Sequence, residues 1–411
     1  MAGKKAEKAA SFADAIVHAE QAAACIEKLP QTVDAQRKLI DARTFLGLYY
    51  NQIMHNQKAK EAVDSIFDLA LKTNSKKRIS QIYCIIGTYY YWVEEDFTKA
   101  FNHLQKALEI SEEVKDNLSS LLASYYLGVA LYNDCEFKRS TRYIKKANQI
   151  NVAAGCLWGI SIMKSTLSYN ACNIGDVNGG CKISADAVSI AEESGDIYSK
   201  AAAYISHGIS FLFKGFLYEA VKNLSKGADF SRKMNHFYQS GIAHDWLGES
   251  YFELGEYQKS TYHYREAITK KKHGKLPRSW IYLSKICLER AKIMNNQCNI
   301  DLESLYRYEA DNKIRLYEGW MRKAISEILL NIGGKHISAA EVWLRRAIEA
   351  DKRNGTIWFL GRDYALYSEL LKLKDSVSEA KRYMKKAIEA FDKCGADGWR
   401  EKAEKRLTLI S

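Results

Sequence analysis

The chain has 411 residues, of which 61 are basic and 49 acidic for a formal net charge of +12, with 47% hydrophobic residues and two prolines. No run of about 18 uncharged apolar residues occurs, which excludes a helical membrane span, and the charged, alanine-rich start MAGKKAEKAASFADAIVHAE lacks the apolar core of a secretory signal, so the expected location is the cytoplasm. Nine cysteines, odd in number and without a CxxC pair, exclude a disulfide framework and a zinc ribbon.

Residues 1–31 read as an N-terminal helix, from about Ala6 to Lys28. It closes at Leu29-Pro30, because a residue before proline avoids helical dihedrals. From residue 32 the chain repeats. One ladder of small residues runs Gly47, Gly87, Gly128, Ser168, Gly208, Gly248, with steps of 40 or 41. A second runs Ala107, Ala147, Ala187, Gly227, Ala267, then Ala347 and Ala387, missing one rung at Arg307. A third runs Ala100, Ser140, Gly180, Ala220, Ser260, then Ala340 and Ala380. Helix backbones approach closely only where a side chain is absent or tiny. Three small positions in register are therefore the mark of stacked helical hairpins. Each pair has a helix A carrying the first ladder and a helix B carrying the other two. Forty residues fit two helices and two short turns.

The period predicts an all-α chain: about nine helix pairs in a right-handed α-solenoid, plus an extra N-terminal helix and a C-terminal capping helix. Regular pairs cover 32–272. The stretch TKKKHGKLPR holds Gly274 and Pro277, which stop a helix, so 273–278 reads as a joint. Residues 279–411 then form a second block of helical repeats and cap, with Arg307 and the polar, Tyr-rich DLESLYRYEADNKIRLYEG breaking the register in its first pair. Regular spacing returns in SAAEVWLRRAIEA and SEAKRYMKKAIEA.

These residues resemble the tetratricopeptide (TPR) repeat, whose helix A carries a large residue, Leu-Gly and Tyr and whose helix B carries Ala, a large apolar residue and Ala. The best match is WLGESYFELGEYQKSTYHYREAI, with Trp246, Leu247, Gly248, Tyr251, Ser260, Tyr264 and Ala267 in those places. The resemblance spans about 32–270 and 318–392. It departs at 279–317, has Phe67 where alanine belongs, and lacks the proline that ends the family's repeat. The forty-residue period is similar to the longer repeats of the kinesin light chain and the bacterial maltose regulator. The C-terminal part also resembles the TPR arm of bacterial nucleotide-cyclase/ATPase proteins, although neither a cyclase nor an ATPase domain precedes it here.

Chemistry-bearing motifs are few. GDVNGGCK, Gly175 to Lys182, has glycines at phosphate-loop spacing, but Cys181 displaces the lysine and no strand precedes it. It reads as an inter-helix turn. No HExxH or GxSxG occurs, and His207 and His244 read as packed or solvated helix residues. No enzyme, metal or cofactor is expected.

The resemblance places Asn51, Tyr91, Trp92, Tyr132, Asn133, Tyr169, Asn173 and Phe213 on the concave face of helix A. Asparagine can bond both N–H and C=O of an extended peptide, and aromatic rings supply contact area at low rotamer cost. The expected function is a non-catalytic scaffold binding a protein or peptide partner there, as the sensory or regulatory arm of a signalling system. The alternative is a nucleic-acid or nucleoprotein partner held by a basic patch at Lys270, Lys271, Lys272, Lys275 and Arg278. Oligomeric state is not legible.

Overall fold

The computed structural model describes residues 12–30, 32–297 and 299–410, so residues 1–11 of the expected first helix and Cys298 lie outside the described residues. Every regular element among the described residues is helical. In chain order these are α1 (Phe12–Glu27), α2 (Val33–Gln52), α3 (Asn56–Asp64), α4 (Phe67–Lys72), α5 (Lys76–Tyr89), a π-helical turn (Tyr90–Glu94), α6 (Phe97–Glu113), α7 (Asn117–Asn133), α8 (Phe137–Ala153), α9 (Leu157–Asn173) and α10 (Val177–Ser194). They continue as α11 (Ile197–Lys214), α12 (Leu217–Lys233), α13 (Phe237–Glu253), α14 (Tyr257–His273), α15 (Arg278–Met294), α16 (Leu302–Ala310) and α17 (Arg315–Asn331). A 3-10 turn (Gly334–His336) precedes α18 (Ile337–Asn354), α19 (Ile357–Leu373), α20 (Val377–Cys394) and α21 (Asp397–Thr408).

The period is written in the turns. At Glu95-Asp96 and Gly195-Asp196, the first residue is left-handed (φ 51 and 70) and ends one helix. The aspartate then caps the next, accepting from Lys99 N at 3.0 Å and from Ser199 N at 2.7 Å. A left-handed residue followed by an acidic N-cap turns the chain in the fewest residues that satisfy both helix ends.

The ladders are the helix contacts. Ala107, Ala147, Ala187, Ala267, Ala347 and Ala387 are each 0% exposed. A Cβ on Gly87 would lie 2.6 Å from Leu104 Cγ, and one on Gly227 would lie 2.5 Å from Ile205 Cγ1. No larger residue fits those crossings.

The chain forms two compact units, residues 1–130 and 131–411. In the first, α2, α3 and α5 pack around Ile40, Val63, Ile82 and Ile85, all at most 1% exposed. The joint expected at 273–278 does not divide the structure. Leu276 and Pro277 are buried, and Lys271 reaches across the turn to Trp280 O (3.0 Å) and Ser284 Oγ (2.8 Å). The regular repeats from α8 onward and the whole C-terminal block therefore share one compact unit.

Within that second unit the last helices fold back on much earlier ones. Trp358 of α19 stacks on Phe213 of α11 at 4.2 Å. Trp399 of α21 donates its indole N–H to Leu212 O at 2.7 Å. Gly398 lies so close to Gly215 that a Cβ on Gly215 would sit 2.7 Å from the Gly398 carbonyl carbon. Simple solenoid repeats touch only their neighbours. The second unit closes on itself.

Candidate functional site

The closure leaves a lumen between the A helices of the second unit. Glu249 and Glu253 stand one turn apart on α13 and so share a face. Arg290 of α15 pairs with Glu249 through Nη2 and with Glu327 of α17 through Nη1 at 3.0 Å, and its guanidinium lies over the Phe252 ring at 3.8 Å. Tyr264 donates to Glu249 Oε2 at 2.7 Å. From the opposite side, Arg362 of α19 reaches Glu249 Oε1 at 2.7 Å and also pairs with Glu253. Lys402 of α21 lies 3.5 Å from Glu253, and Lys323 of α17 lies 3.0 Å from Glu327. Burial alone would raise the Glu249 pKa, but Arg290, Arg362 and Lys323 together hold it well below the ordinary carboxylate range. Glu249 is therefore ionised at neutral pH, held so by the cations around it.

Beside it opens a cavity of about 450 Å³, lined by Phe252, Glu253, Lys323, Arg362, Trp399, Arg406 and their neighbours. That volume lies in the usual range for ligand sites, about 300–1,000 Å³. Its walls join aromatic and aliphatic surface to fixed charges. Such a lining suits a small amphipathic ligand or the end of a peptide chain.

The residues singled out from the sequence fall elsewhere. Phe213 is 0% exposed and stacked on Trp358, so it is a closure contact rather than a groove residue. Tyr91 and Trp92 are both buried in the first unit, edge to face at 4.9 Å, with Tyr91 also against Phe97. Asn51 is buried there too and donates to Thr88 Oγ1 at 2.8 Å. In the second unit the structure does bring Tyr132, Tyr169 and Asn173 together. Asn173 donates to the Tyr132 hydroxyl at 3.1 Å and to Tyr169 O at 2.9 Å. The Tyr132 and Tyr169 rings lie 6.3 Å apart, burial raises both phenol pKa values, and Asn133 is buried.

The basic stretch is split. Lys271 is 1% exposed and paired with Asp245, so it belongs to the core. Lys270 is half-buried 3.8 Å from Glu266, while Lys272, Lys275 and Arg278 face solvent. The inward turn of Lys271 follows from its helical position, four residues after the small rung Ala267. His207 bonds Ser184 at 2.9 Å and His244 pairs with His263 at 2.9 Å. Burial pushes the His244 pKa down to about 3, a packed histidine.

Sequence reasoning missed the charged lumen. The signal that marks it is a charge directly after a small residue in an otherwise apolar helix A, as in Gly248-Glu249 and Gly361-Arg362.

The fold and this inner face define the class: an all-α, TPR-like helical-repeat protein. No protein-family model matches the chain, and no curated protein matches its sequence. Among solved structures it is similar to a Rap protein complexed with competence and sporulation factor, with a TM-score of 0.62 and 16% identity over 92% of this chain and 97% of that one. It is also similar to the Rap conjugation gene regulator of plasmid pLS20 in complex with the Phr* peptide, with a TM-score of 0.60 and 16% identity over 84% and 93% of the two chains. A third is the apo form of the quorum sensor NprR from B. thuringiensis, with a TM-score of 0.50 and 15% identity over 86% and 98%. At these identities the likeness is one of fold.

Proposed function

We propose that this chain is a non-catalytic regulatory protein that binds a short peptide on the inner face of its second unit. The observation that carries the reading is the 450 Å³ cavity, walled by helices and lined by both apolar rings and charges. An inner face whose charged side chains are already held in place binds without reorganising, which lowers the cost of association. Two of the similar solved structures hold a peptide or signalling factor by their own description, which supports the same use here. Tyr132, Asn133, Tyr169 and Asn173 are proposed as further contacts. The amide oxygen of Asn173 completes no hydrogen bond among the described residues, leaving an acceptor for a peptide N–H. No helix among the described residues is long and apolar enough to cross a membrane, and a cytoplasmic site of action fits the free thiols of the buried cysteines.

The test is affinity selection of a pool of random seven-residue peptides on the full chain, read by mass spectrometry. Retention of a defined subset, lost in Phe252→Ala, whose ring lines the cavity, supports the reading. No retention at micromolar protein refutes it.

A further inference from the structure

Among the described residues that line the cavity, Lys323 carries the buried polar atom that completes no hydrogen bond. Its side chain is 3% exposed and it lines the cavity. Its Nζ lies 3.0 Å from Glu327, yet at an angle that completes no hydrogen bond among the described residues. An ammonium carries three donors, and leaving them unmet inside a protein is costly. The acids around it are already engaged. Of the carboxylates that line the cavity, Glu327 is bonded to Arg290 at 3.0 Å, Glu253 is paired with Arg362 and Lys402, and Glu369 is paired with Lys372. At the mouth stands Arg406, exposed and without an ion pair among the described residues. Lys402 lies on the same helix one turn before it, sharing Glu253 with Arg362. The cavity thus offers spare donors and positive charge, while its carboxylates are already spoken for.

We infer that the cavity captures the free C-terminal carboxylate of the bound peptide, with Lys323 as its inner anchor and Arg406 at the entrance. This rests on the peptide reading above. The size argues for a chain end: about 450 Å³ cannot admit a helix with its side chains, about 10–12 Å across. An extended terminus enters end-on. Its two carboxylate oxygens accept the unmet N–H donors, and charge-assisted bonds of this kind are about twice as strong as neutral ones. The aromatic wall of Phe252, Tyr257 and Trp399 packs the last side chain.

The experiment uses the full chain and one pool of random seven-residue peptides made twice, as free acids and as C-terminal amides. Retained free-acid peptides should lose at least tenfold in affinity on amidation. Lys323→Met should lower free-acid affinity by a similar factor and leave amide affinity unchanged. Its fold is checked by circular dichroism, and Glu327 keeps Arg290 in that variant. Arg406→Gln, on the surface, should lower free-acid affinity two- to threefold without touching the fold. Equal retention of acids and amides overturns the assignment while leaving peptide binding intact. So does affinity that follows internal Asp or Glu regardless of amidation. If neither pool is retained, the peptide reading fails and this inference with it.

Discussion

Gly208 tests the register of the whole repeat. A Cβ built there would lie 2.6 Å from Leu224 Cγ, 2.9 Å from Leu224 N and 3.0 Å from Ala220 O. The leucine side chain can turn away, but the backbone nitrogen and carbonyl oxygen cannot. Gly208→Ala must therefore push α11 and α12 apart, and overpacking of this kind costs about 1–3 kcal/mol. Alanine returns up to about 1 kcal/mol of helix propensity over glycine, so the net loss should be about 1–2 kcal/mol. For a unit of a few hundred residues that is a fall of about 3–6 °C in thermal midpoint. The internal control is Gly334→Ala, where nothing lies within 4 Å of the new methyl and the midpoint should hold or rise slightly. Differential scanning calorimetry of both variants decides it. A Gly208→Ala midpoint equal to or above wild type would refute the assignment of the small ladder to helix contacts.

Lys271→Met should cost about 3–5 kcal/mol, because it strands the buried Asp245 carboxylate without its counter-ion; Lys272→Ala, exposed one residue away, should stay within about 0.5 kcal/mol by urea denaturation. Asp351 and Asp363 are neighbouring acids in the core, where burial raises both pKa values, that of Asp351 to about 6 and that of Asp363 well above its ordinary value. The groups facing them are Arg322 and Lys323 from α17, Thr356, whose hydroxyl donates to Asp351 at 2.6 Å, and Arg362 on α19. Both folded-state values exceed the unfolded ones, so the pair's stabilising contribution is complete below about pH 4 and declines as pH rises through 6 and beyond. Asp363→Asn should therefore gain stability over wild type progressively with rising pH; an advantage that shrinks between pH 5 and 8 would overturn this linkage.

The repeat and the place of the small rungs were legible in the sequence. Each is a nearest-neighbour property. A helix crossing demands a missing side chain at one position per pair, and a forty-residue stride recurs wherever the same hairpin is stacked, so Gly87, Ala187 and Ser260 declare their contacts in one dimension. The placement of Tyr132 and Asn173 on adjacent A helices was legible on the same ground; that they bond each other was not. The stacking of Phe213 on Trp358, the bridging of Glu249 and Glu253 by Arg362 and the seat of Trp399 on Leu212 were not. Those contacts arise because small rotations between successive hairpins accumulate until the last helices meet α11 and α13. No single residue carries that sum. An aromatic at helical spacing looks the same in the sequence whether it faces a groove or the returning end of its own chain, and a lysine in a basic run looks the same whether it meets solvent or, like Lys271, a buried aspartate. Only the tertiary structure, by bringing distant turns of the solenoid together, decides which of these it is.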